Sequence, residues 1–264
     1  MKKFSFVGAG KMASAIVGGM VRSKVVMPWD IECASGADDT GRNLASATGI
    51  SYTPDIERLG GETFILACKP QQLAEVASKI GQKDIPLLIS ILAGTTIEKL
   101  RARFPNARKI VRVMPNMPAL ISMGISCYAP ESALNKEEDA KVRSVLEAIG
   151  EVVECGEARL DAVTALSGSG PGYVFEFASA LIAAGEKLGF DYETSKKLTL
   201  RTLLGSALLL EKDEREPEVL RDAVCSPGGT TLAALKVFEE AGFRKTVAQA
   251  LEAAQKRSGE LSKL

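Results

Sequence analysis

The first part of the chain alternates short apolar runs with stretches of helical spacing. The runs are four to six residues long, and residues 64–68 carry no polar side chain. Apolar runs of this length are typical of strands in a parallel sheet that is covered on both faces. The predicted strands are residues 4–7, 31–34, 64–68, 87–91, 110–113, 123–128 and 151–155. A helix is predicted directly after the first strand, and another at residues 135–149.

The pattern changes after residue 156, where the strand-like runs stop. The remaining sequence is rich in Ala and Leu at helical spacing. Helices are predicted at about 173–188 and from about residues 192, 217, 230 and 242. Their faces are too apolar to be exposed, so we expect them to bury against one another and against a second subunit. We therefore predict an α/β domain at residues 1–156 and an all-α dimerisation domain at residues 157–264.

A glycine-rich turn lies between the first strand and the first helix. Gly8, Gly10 and Ala13 form a Gly-x-Gly-x-x-Ala pattern. In a dinucleotide fingerprint the first glycine permits the tight turn and the second lets the pyrophosphate approach the backbone, while a small third residue packs helix on strand. The alternative is a glycine turn that arose by chance, but the position of the pattern between a strand and a helix favours the fingerprint. The α/β domain is therefore predicted to be a Rossmann-type, dinucleotide-binding domain.

The end of the second strand bears on the choice of cofactor. An NAD-specific site usually has an acidic residue there, which binds the ribose hydroxyls, whereas this strand ends in small residues and the turn at 35–38 follows. Ser35 can hydrogen-bond a 2′-phosphate, and Arg42 lies farther along. NADPH is therefore predicted, with NADH as the alternative. Asp38 and Asp39 fit two roles equally well, as charges in the first turn of a helix or as ligands of the ribose.

Loops after the later strands are also expected to face the cofactor, because ligands of open α/β sheets bind at the carboxyl ends of the strands. Lys69 follows a buried strand, although an ordinary surface lysine is the simpler interpretation. The amide of Asn116, between two prolines, could bond the nicotinamide carboxamide or the substrate. The predicted cofactor-binding residues are Gly8, Ala9, Gly10, Lys11, Met12, Ala13, Ser35, Ala67, Cys68, Lys69, Pro70, Ala93, Gly94 and Asn116.

A second glycine turn opens the helix that is predicted from residue 230. Ser226 and Pro227 precede two glycines, and two threonines follow at 230 and 231. Unpaired N–H groups and the positive end of the helix dipole make such a helix start a site for an anion. The alternative is an ordinary helix with a Ser or Thr cap. The rest of the chain favours a small carboxylate as the ligand of this turn.

Composition limits the chemistry. The 33 basic and 33 acidic residues cancel, which suggests neither nucleic acid nor an anionic membrane as a partner. No segment is apolar for the length of a membrane span, and the N-terminal apolar run is too short and glycine-broken for an export signal.

The five cysteines form no Cys-x-x-Cys pair, which predicts a reducing cytoplasm and no metal site. The chain has no histidine, the commonest general acid or base.

Five motifs together resemble the pyrroline-5-carboxylate reductase family. The motifs lie at residues 7–13, 67–71, 114–118, 166–173 and 222–231, so the resemblance covers essentially the whole chain. The first is shared with many dehydrogenases, whereas the last two, in this order and spacing, are specific to the family. Lys11 and Gly172 depart from the family pattern, but neither change removes a group that the chemistry needs.

The resemblance implies the reduction of 1-pyrroline-5-carboxylate to L-proline by hydride transfer from NAD(P)H, the last step of proline biosynthesis. It places the substrate carboxylate on Ser226, Gly229, Thr230 and Thr231. Glu157 and Glu214 match family acids near the substrate ring, and Glu214 is the less secure because its loop is charged and variable. Thr231 or a bound water would hydrogen-bond the ring nitrogen, and Glu157 would favour the cationic imine. Because a protonated imine is already a good hydride acceptor, the lack of histidine is tolerable.

The resemblance also implies a homodimer in which the C-terminal helices interlock and complete each active site, with further assembly into decamers as one outcome. Two other functions remain open. A β-hydroxyacid dehydrogenase would carry a catalytic lysine on the long helix, but residues 173–186 contain none. A non-catalytic dinucleotide-binding sensor would have little reason to keep both the cofactor turn and the carboxylate turn.

Overall fold

The computed structural model describes residues 2–36 and 38–263, so Ala37 of the predicted 35–38 turn lies outside the described residues. The chain divides into two compact units. The first comprises Met1–Ser169 together with Ala254–Leu264, and the second is Gly170–Ala253. The first unit contains every strand among the described residues, and the second is helical.

An eight-stranded sheet forms the centre of the first unit, in the order β3-β2-β1-β4-β5-β6-β7-β8. The strands are β1 (Phe4–Val7), β2 (Ile31–Ala34), β3 (Ser51–Thr53), β4 (Thr63–Leu66), β5 (Ile85–Ser90), β6 (Ala107–Met114), β7 (Gly124–Pro130) and β8 (Gly150–Glu154). Neighbouring strands are parallel apart from β6 and β7, which are antiparallel. The sheet therefore confirms the predicted α/β class.

Both faces of the sheet are covered, as the apolar strands predicted. Along β4, Ile65 packs into the core on one face, and Phe64 and Leu66 pack into the core on the other. The helices of this unit are α1 (Lys11–Arg22), α2 (Thr40–Thr48), α3 (Leu73–Ile80), α4 (Ile97–Arg103), α5 (Lys136–Leu146) and α6 (Leu160–Val163), followed by a π-helical turn at Thr164–Gly168. The covered faces leave the strand ends as the accessible part of the sheet.

The first compact unit extends beyond the predicted boundary near residue 156. Leu160 is fully buried against Cys127 and Ala129 of β7, and Glu157 bonds to residues of the sheet domain. Residues 254–264 also belong to this unit. The compact units therefore differ from the predicted segments 1–156 and 157–264, because residues 157–169 pack on the sheet although their sequence is helical.

The second unit has almost no core of its own. Its helices are α7 (Gly170–Lys187), α8 (Tyr192–Lys212), α9 (Pro217–Ala223), α10 (Thr230–Glu240) and the first part of α11 (Phe243–Leu261). Among residues 170–253, all described, only Ala178, Ser195 and Thr199 are buried. Large apolar side chains are exposed on α7, α8, α10 and α11. Apolar surface on this scale marks an interface, which agrees with the predicted dimerisation role.

No helix within residues 2–36 and 38–263 combines the length and the apolar character that crossing a membrane requires.

Candidate active site

The turn after β1 is shaped by Gly8. Its φ is +105°, and a Cβ placed there would lie 2.6 Å from the carbonyl oxygen of Ala67. The Gly8 N–H donates to the Ala34 carbonyl at 2.7 Å, and the Ala67 N–H donates to the Val7 carbonyl at 2.8 Å. The turn is thus held against the ends of β2 and β4, and only glycine fits it.

The start of α1 is open to a ligand. Gly10 is the N-cap residue and makes no side-chain cap, and a Cβ there would meet no atom within 4 Å. The next two residues, Lys11 and Met12, begin the helix, and Ala13 is buried against the sheet. Unpaired N–H groups at the start of a helix, with free space before them, suit a pyrophosphate.

A cleft of about 490 Å³ leads from this turn along the end of β2. Gly8, Ser35, Arg42 and Cys68 line it. The structure therefore places Ser35 and Arg42, which are seven positions apart in sequence, in one cleft with the fingerprint glycine. The Ser35 hydroxyl accepts a hydrogen bond from the Gly41 N–H at 3.1 Å, which fixes it at the start of α2.

Asp38 also lines this cleft, and its carboxylate is hydrogen-bonded to Thr40 at the start of α2. Its Oδ1 accepts from the Thr40 N–H at 3.2 Å and from the Thr40 hydroxyl at 2.5 Å. These hydrogen bonds lower the pKa of Asp38 below its usual value. Asp38 thus hydrogen-bonds to the first residue of α2 while it lines the cleft, and its role at the ribose stays open.

The loop after β4 separates this cleft from a second one. Cys68 lines the first cleft and Pro70 the second. Burial raises the pKa of the Cys68 thiol to about 11, so it is a neutral thiol near neutrality. Lys69 is the N-cap residue of the 3₁₀ turn Pro70–Gln72, and its N–H donates to Gln72 Oε1 at 3.0 Å.

Ala93 and Gly94 lie in the second cleft rather than in the first. That cleft also contains Lys99, Arg103 and Leu261. Gly94 has φ +67°, and a Cβ there would touch Leu261 at 3.4 Å. The structure thus does not bring these two residues together with the fingerprint turn, and their cofactor role stays a prediction.

Asn116 follows β6 and has one of its amide atoms engaged. Its Oδ1 accepts from the Ile125 N–H at 2.9 Å. This bond ties the segment after β6 to the start of β7 and leaves the Nδ2 group as the side chain's donor for a ligand. Its predicted role at the nicotinamide or substrate stays a prediction.

Glu157 is engaged in an ion pair with Arg112 that the sequence analysis did not predict. Its Oε1 accepts from the Ile97 N–H at 2.7 Å and from Arg112 Nη1 at 3.2 Å. Arg112 is on β6 and only 5% exposed, and Asp161 Oδ1 lies 4.0 Å from its Nη2. Sequence reasoning missed Arg112. The available signal was a charged residue inside an otherwise apolar strand, which is seldom buried without a partner.

The predicted carboxylate turn lies in the second unit. Gly228 has φ +69°, and the Gly229 N–H donates to the Ser226 carbonyl at 2.8 Å. A Cβ on Gly229 would lie 2.3 Å from the Ser226 hydroxyl oxygen, so the glycine lets that hydroxyl fold against the helix start. Gly229 is the N-cap of α10, again without a side-chain cap. The structure brings together Ser226, Gly229, Thr230 and Thr231 around unpaired N–H groups.

Glu214 is exposed in the loop between α8 and α9. Its neighbours Asp213 and Arg215 form an ion pair at 2.7 Å, which leaves Glu214 outside that pair. The predicted role of Glu214 near the substrate ring stays a prediction.

The residues of the first unit fit a dinucleotide. The Gly8 turn permits the close approach, the start of α1 offers free N–H groups, and the adjoining cleft holds a cation and a hydroxyl at the predicted 2′-phosphate end. Ser35, rather than an acid, stands at the end of β2, where an NAD-specific site usually has its ribose-binding acid. Asp38 and Asp39 also line the cleft, but Asp38 is hydrogen-bonded to Thr40. Ser35 and Arg42 therefore favour a phosphorylated ribose.

Family models match both parts of the chain. Residues 157–261 match the model described as pyrroline-5-carboxylate reductase dimerisation. Residues 3–94 match the model described as NADP oxidoreductase, coenzyme F420-dependent. The first match spans the second unit and the segments that pack with the sheet, and the second spans the fingerprint turn and the loop after β5.

Relatives match the chain over its full length. A pyrroline-5-carboxylate reductase from Synechocystis sp. is 37% identical, with 99% of this chain and 98% of the relative covered. A solved structure named pyrroline-5-carboxylate reductase from Coxiella burnetii has a TM-score of 0.92 at 33% identity and covers 100% of this chain and 99% of its own. A Plasmodium falciparum pyrroline carboxylate reductase, solved with NADP bound, has a TM-score of 0.88 at 31% identity, with 99% and 98% covered. Each of these relatives therefore covers both the sheet-containing unit and the helical unit of this chain.

Proposed function

Because the chain belongs to the pyrroline-5-carboxylate reductase family, we propose that it is an NAD(P)H-dependent oxidoreductase that reduces 1-pyrroline-5-carboxylate to L-proline, the last step of proline biosynthesis. The observation that carries the proposal is the presence in one chain of two unblocked helix starts. One follows Gly8 and Gly10, and the other follows Gly228 and Gly229. The first suits a dinucleotide, and the second suits a small carboxylate.

NADPH binds at the start of α1 and along the adjoining cleft. The N–H groups after Gly10 bind the pyrophosphate, and Ser35 and Arg42 bind the 2′-phosphate. NADH binds more weakly because it lacks the group that Arg42 would neutralise. When bound, the reduced nicotinamide supplies the hydride that the imine carbon accepts.

The turn at 226–231 binds the substrate carboxylate. The unpaired N–H groups at the start of α10 and the hydroxyls of Ser226, Thr230 and Thr231 donate to it. Fixing the carboxylate sets the orientation of the C=N bond, and orientation is the protein's main contribution when a cofactor carries the chemistry. Thr231, directly or through a water, hydrogen-bonds the ring nitrogen.

Carboxylate side chains near the imine favour its protonated form, which is the better hydride acceptor. Glu157 and Glu214 are the proposed acids. The ion pair with Arg112 offsets the charge of Glu157, but Asp161 adds a second carboxylate to the same cluster. One guanidinium against two carboxylates leaves one net negative charge there.

Residues 157–264 form the segment through which two copies associate. The support is the dimerisation model over 157–261 and the second unit's lack of a core. We propose that the helices of the two copies interlock and that a partner's helices complete each site. Pairs can assemble further into decamers.

The five cysteines are free thiols, which supports a reducing cytoplasm as the location.

In the Ser226→Ala and Thr231→Ala variants we expect the KM for the imine to rise about 5- to 30-fold each, because a hydrogen bond to a charged group contributes about 1–2 kcal/mol. The NADPH Kd should change less than about twofold. Both constants are measured by steady-state rates and by cofactor fluorescence. A rise in NADPH Kd with an unchanged imine KM would contradict the placement of the two ligands.

Cys68→Ser should leave the pH profile of kcat/KM unchanged between about pH 5 and 9. The Cys68 pKa is raised to about 11 by burial, so the thiol stays protonated through that range and contributes no limb. The profile is measured in wild type and variant with saturating NADPH. A limb that disappears in the variant would show that the thiol is the acid and that this mechanism is wrong.

A further inference from the structure

Four residues of the first unit form a partly buried polar cluster that the cofactor and carboxylate turns do not include. We call Arg112, Glu157, Asp161 and Ser258 the Arg112 cluster. Arg112 Nη1 donates to Glu157 Oε1 at 3.2 Å, and Ser258 Oγ donates to Asp161 Oδ1 at 2.7 Å. The cluster joins β6, the segment after β8 and the last helix.

Arg112 lies inside the sheet, on β6 between β5 and β7. Arg112 is paired in register with Ser90, the last residue of β5, and on its other side with Ala129 of β7. Only 5% of Arg112 is exposed, whereas the side chain of Glu157 is 32% exposed. The rigid, buried member is therefore the arginine, and the carboxylate is the member that it holds in place.

Glu157 connects Arg112 to the loop between β5 and α4 by hydrogen bonds to both. Its Oε1 accepts from the N–H of Ile97, the first residue of α4, at 2.7 Å. The same loop contains Gly94 at φ +67° and Thr96, whose hydroxyl accepts from the Lys99 N–H at 3.2 Å. The loop is thus held at one end by β5 and at the other by Thr96 and Glu157.

We propose that Arg112 is a positioning residue for the reduction: through Glu157 it fixes the loop at residues 93–97, and so the geometry of hydride transfer. The proposal rests on the proposed function and on the rule that ligands of open α/β sheets bind at the carboxyl ends of the strands, which is where this loop follows β5. A loop displaced by about 1 Å can cost up to about 100-fold in rate without abolishing binding.

This role and the electrostatic role of Glu157 predict opposite effects of removing Arg112. If Glu157 acted only by its charge on the imine, the loss of Arg112 would leave that charge unopposed, and kcat/KM would hold or rise. If Arg112 positions the loop, the same change releases Glu157 and Ile97, and kcat falls. One variant therefore separates the two roles.

The first measurement uses the full-length protein without NADPH. Hydrogen exchange of the Ile97 amide should become at least about tenfold faster in Arg112→Met, because its acceptor is no longer fixed. Arg108→Met is the matched control, since Arg108 lies on the same strand and pairs with Asp84 but is exposed. Its Ile97 exchange should equal that of wild type. Equal exchange in Arg112→Met and wild type would overturn the proposal.

The second measurement is kinetic. In Arg112→Met, kcat at saturating substrates should fall about 10- to 100-fold, while the NADPH Kd and imine KM stay within about threefold. The deuterium isotope effect on kcat, with NADPH deuterated at the transferred position, should equal or exceed that of wild type, because hydride transfer is the step that is slowed. Arg112→Lys should recover part of the rate and serves as the test if Arg112→Met does not fold.

A kcat within about twofold of wild type in folded Arg112→Met, or an isotope effect on kcat smaller than that of wild type beside a lower kcat, would overturn the proposal. Failure of the proposed function would look different. Wild-type protein would then show no imine-dependent oxidation of NADPH, while the exchange of the Ile97 amide would still report whether Arg112 holds the loop.

Discussion

In the Gly8→Ala variant we expect NADPH affinity to fall by more than about 100-fold, equivalent to about 2.7 kcal/mol. The alanine Cβ would lie 2.6 Å from the Ala67 carbonyl oxygen and 2.8 Å from the Cys68 nitrogen. Both are backbone atoms at the end of β4 and cannot rotate away. The residue would also have to keep φ +105°, which strains any side chain. Fluorescence titration with NADPH measures the loss.

Two glycines nearby serve as controls for Gly8→Ala. A Cβ on Gly10 would meet no atom within 4 Å, so Gly10→Ala should keep the Tm of the cofactor-free protein and weaken NADPH binding by obstructing the pyrophosphate. A Cβ on Gly18 would meet only the flexible end of Arg22 at 3.0 Å, so Gly18→Ala should bind NADPH normally. Wild-type affinity in Gly8→Ala would contradict the placement of the pyrophosphate.

In the Phe175→Glu variant we expect the oligomer to dissociate, with the association constant lowered by more than about 1,000-fold. Phe175 is on α7 and 56% exposed in a unit with three buried residues. Burying an unpaired carboxylate in an apolar interface costs several kcal/mol. Sedimentation velocity at micromolar concentration measures the change, and thermal unfolding of the variant should occur at a lower temperature than in wild type.

Lys187→Gln is the matched control for Phe175→Glu. It changes the formal charge of the same helix by the same amount, at its last residue, and replaces an exposed polar side chain. Its sedimentation should equal that of wild type. An oligomer that survives Phe175→Glu unchanged would place α7 outside the interface.

Much of the fold could be predicted from the sequence because its strands are nearly continuous apolar runs. The run at 64–68 corresponds to β4 at Thr63–Leu66, and the glycine fingerprint marks the strand-to-helix turn between β1 and α1. β3 was not predicted, since its three residues are too short to show a pattern. The helix predicted at 135–149 ends at Leu146 and continues as a 3₁₀ turn to Ile149.

The candidate site could be predicted less completely, since sequence motifs mark local geometry and not long-range pairing. The turn at Gly8 and the turn at Gly229 are each set by neighbouring residues, so a local pattern predicts them. The ion pair of Arg112 and Glu157 joins positions 45 apart, and no local pattern encodes it. The placement of Gly94 against Leu261 depends in the same way on a distant helix.

An assay of the purified full-length protein tests whether this chain reduces a cyclic imine carboxylate. NADPH oxidation should depend on added pyrroline-5-carboxylate, and one proline should form for each NADPH consumed. The rate with NADPH should exceed that with NADH, and 3-hydroxy acids with NADP⁺ should give no reduction of the cofactor. Absence of imine-dependent oxidation, or oxidation without proline formation, would show that the chain is not a reductase of this imine. Turnover of 3-hydroxy acids in place of the imine would identify the chain as a β-hydroxyacid dehydrogenase.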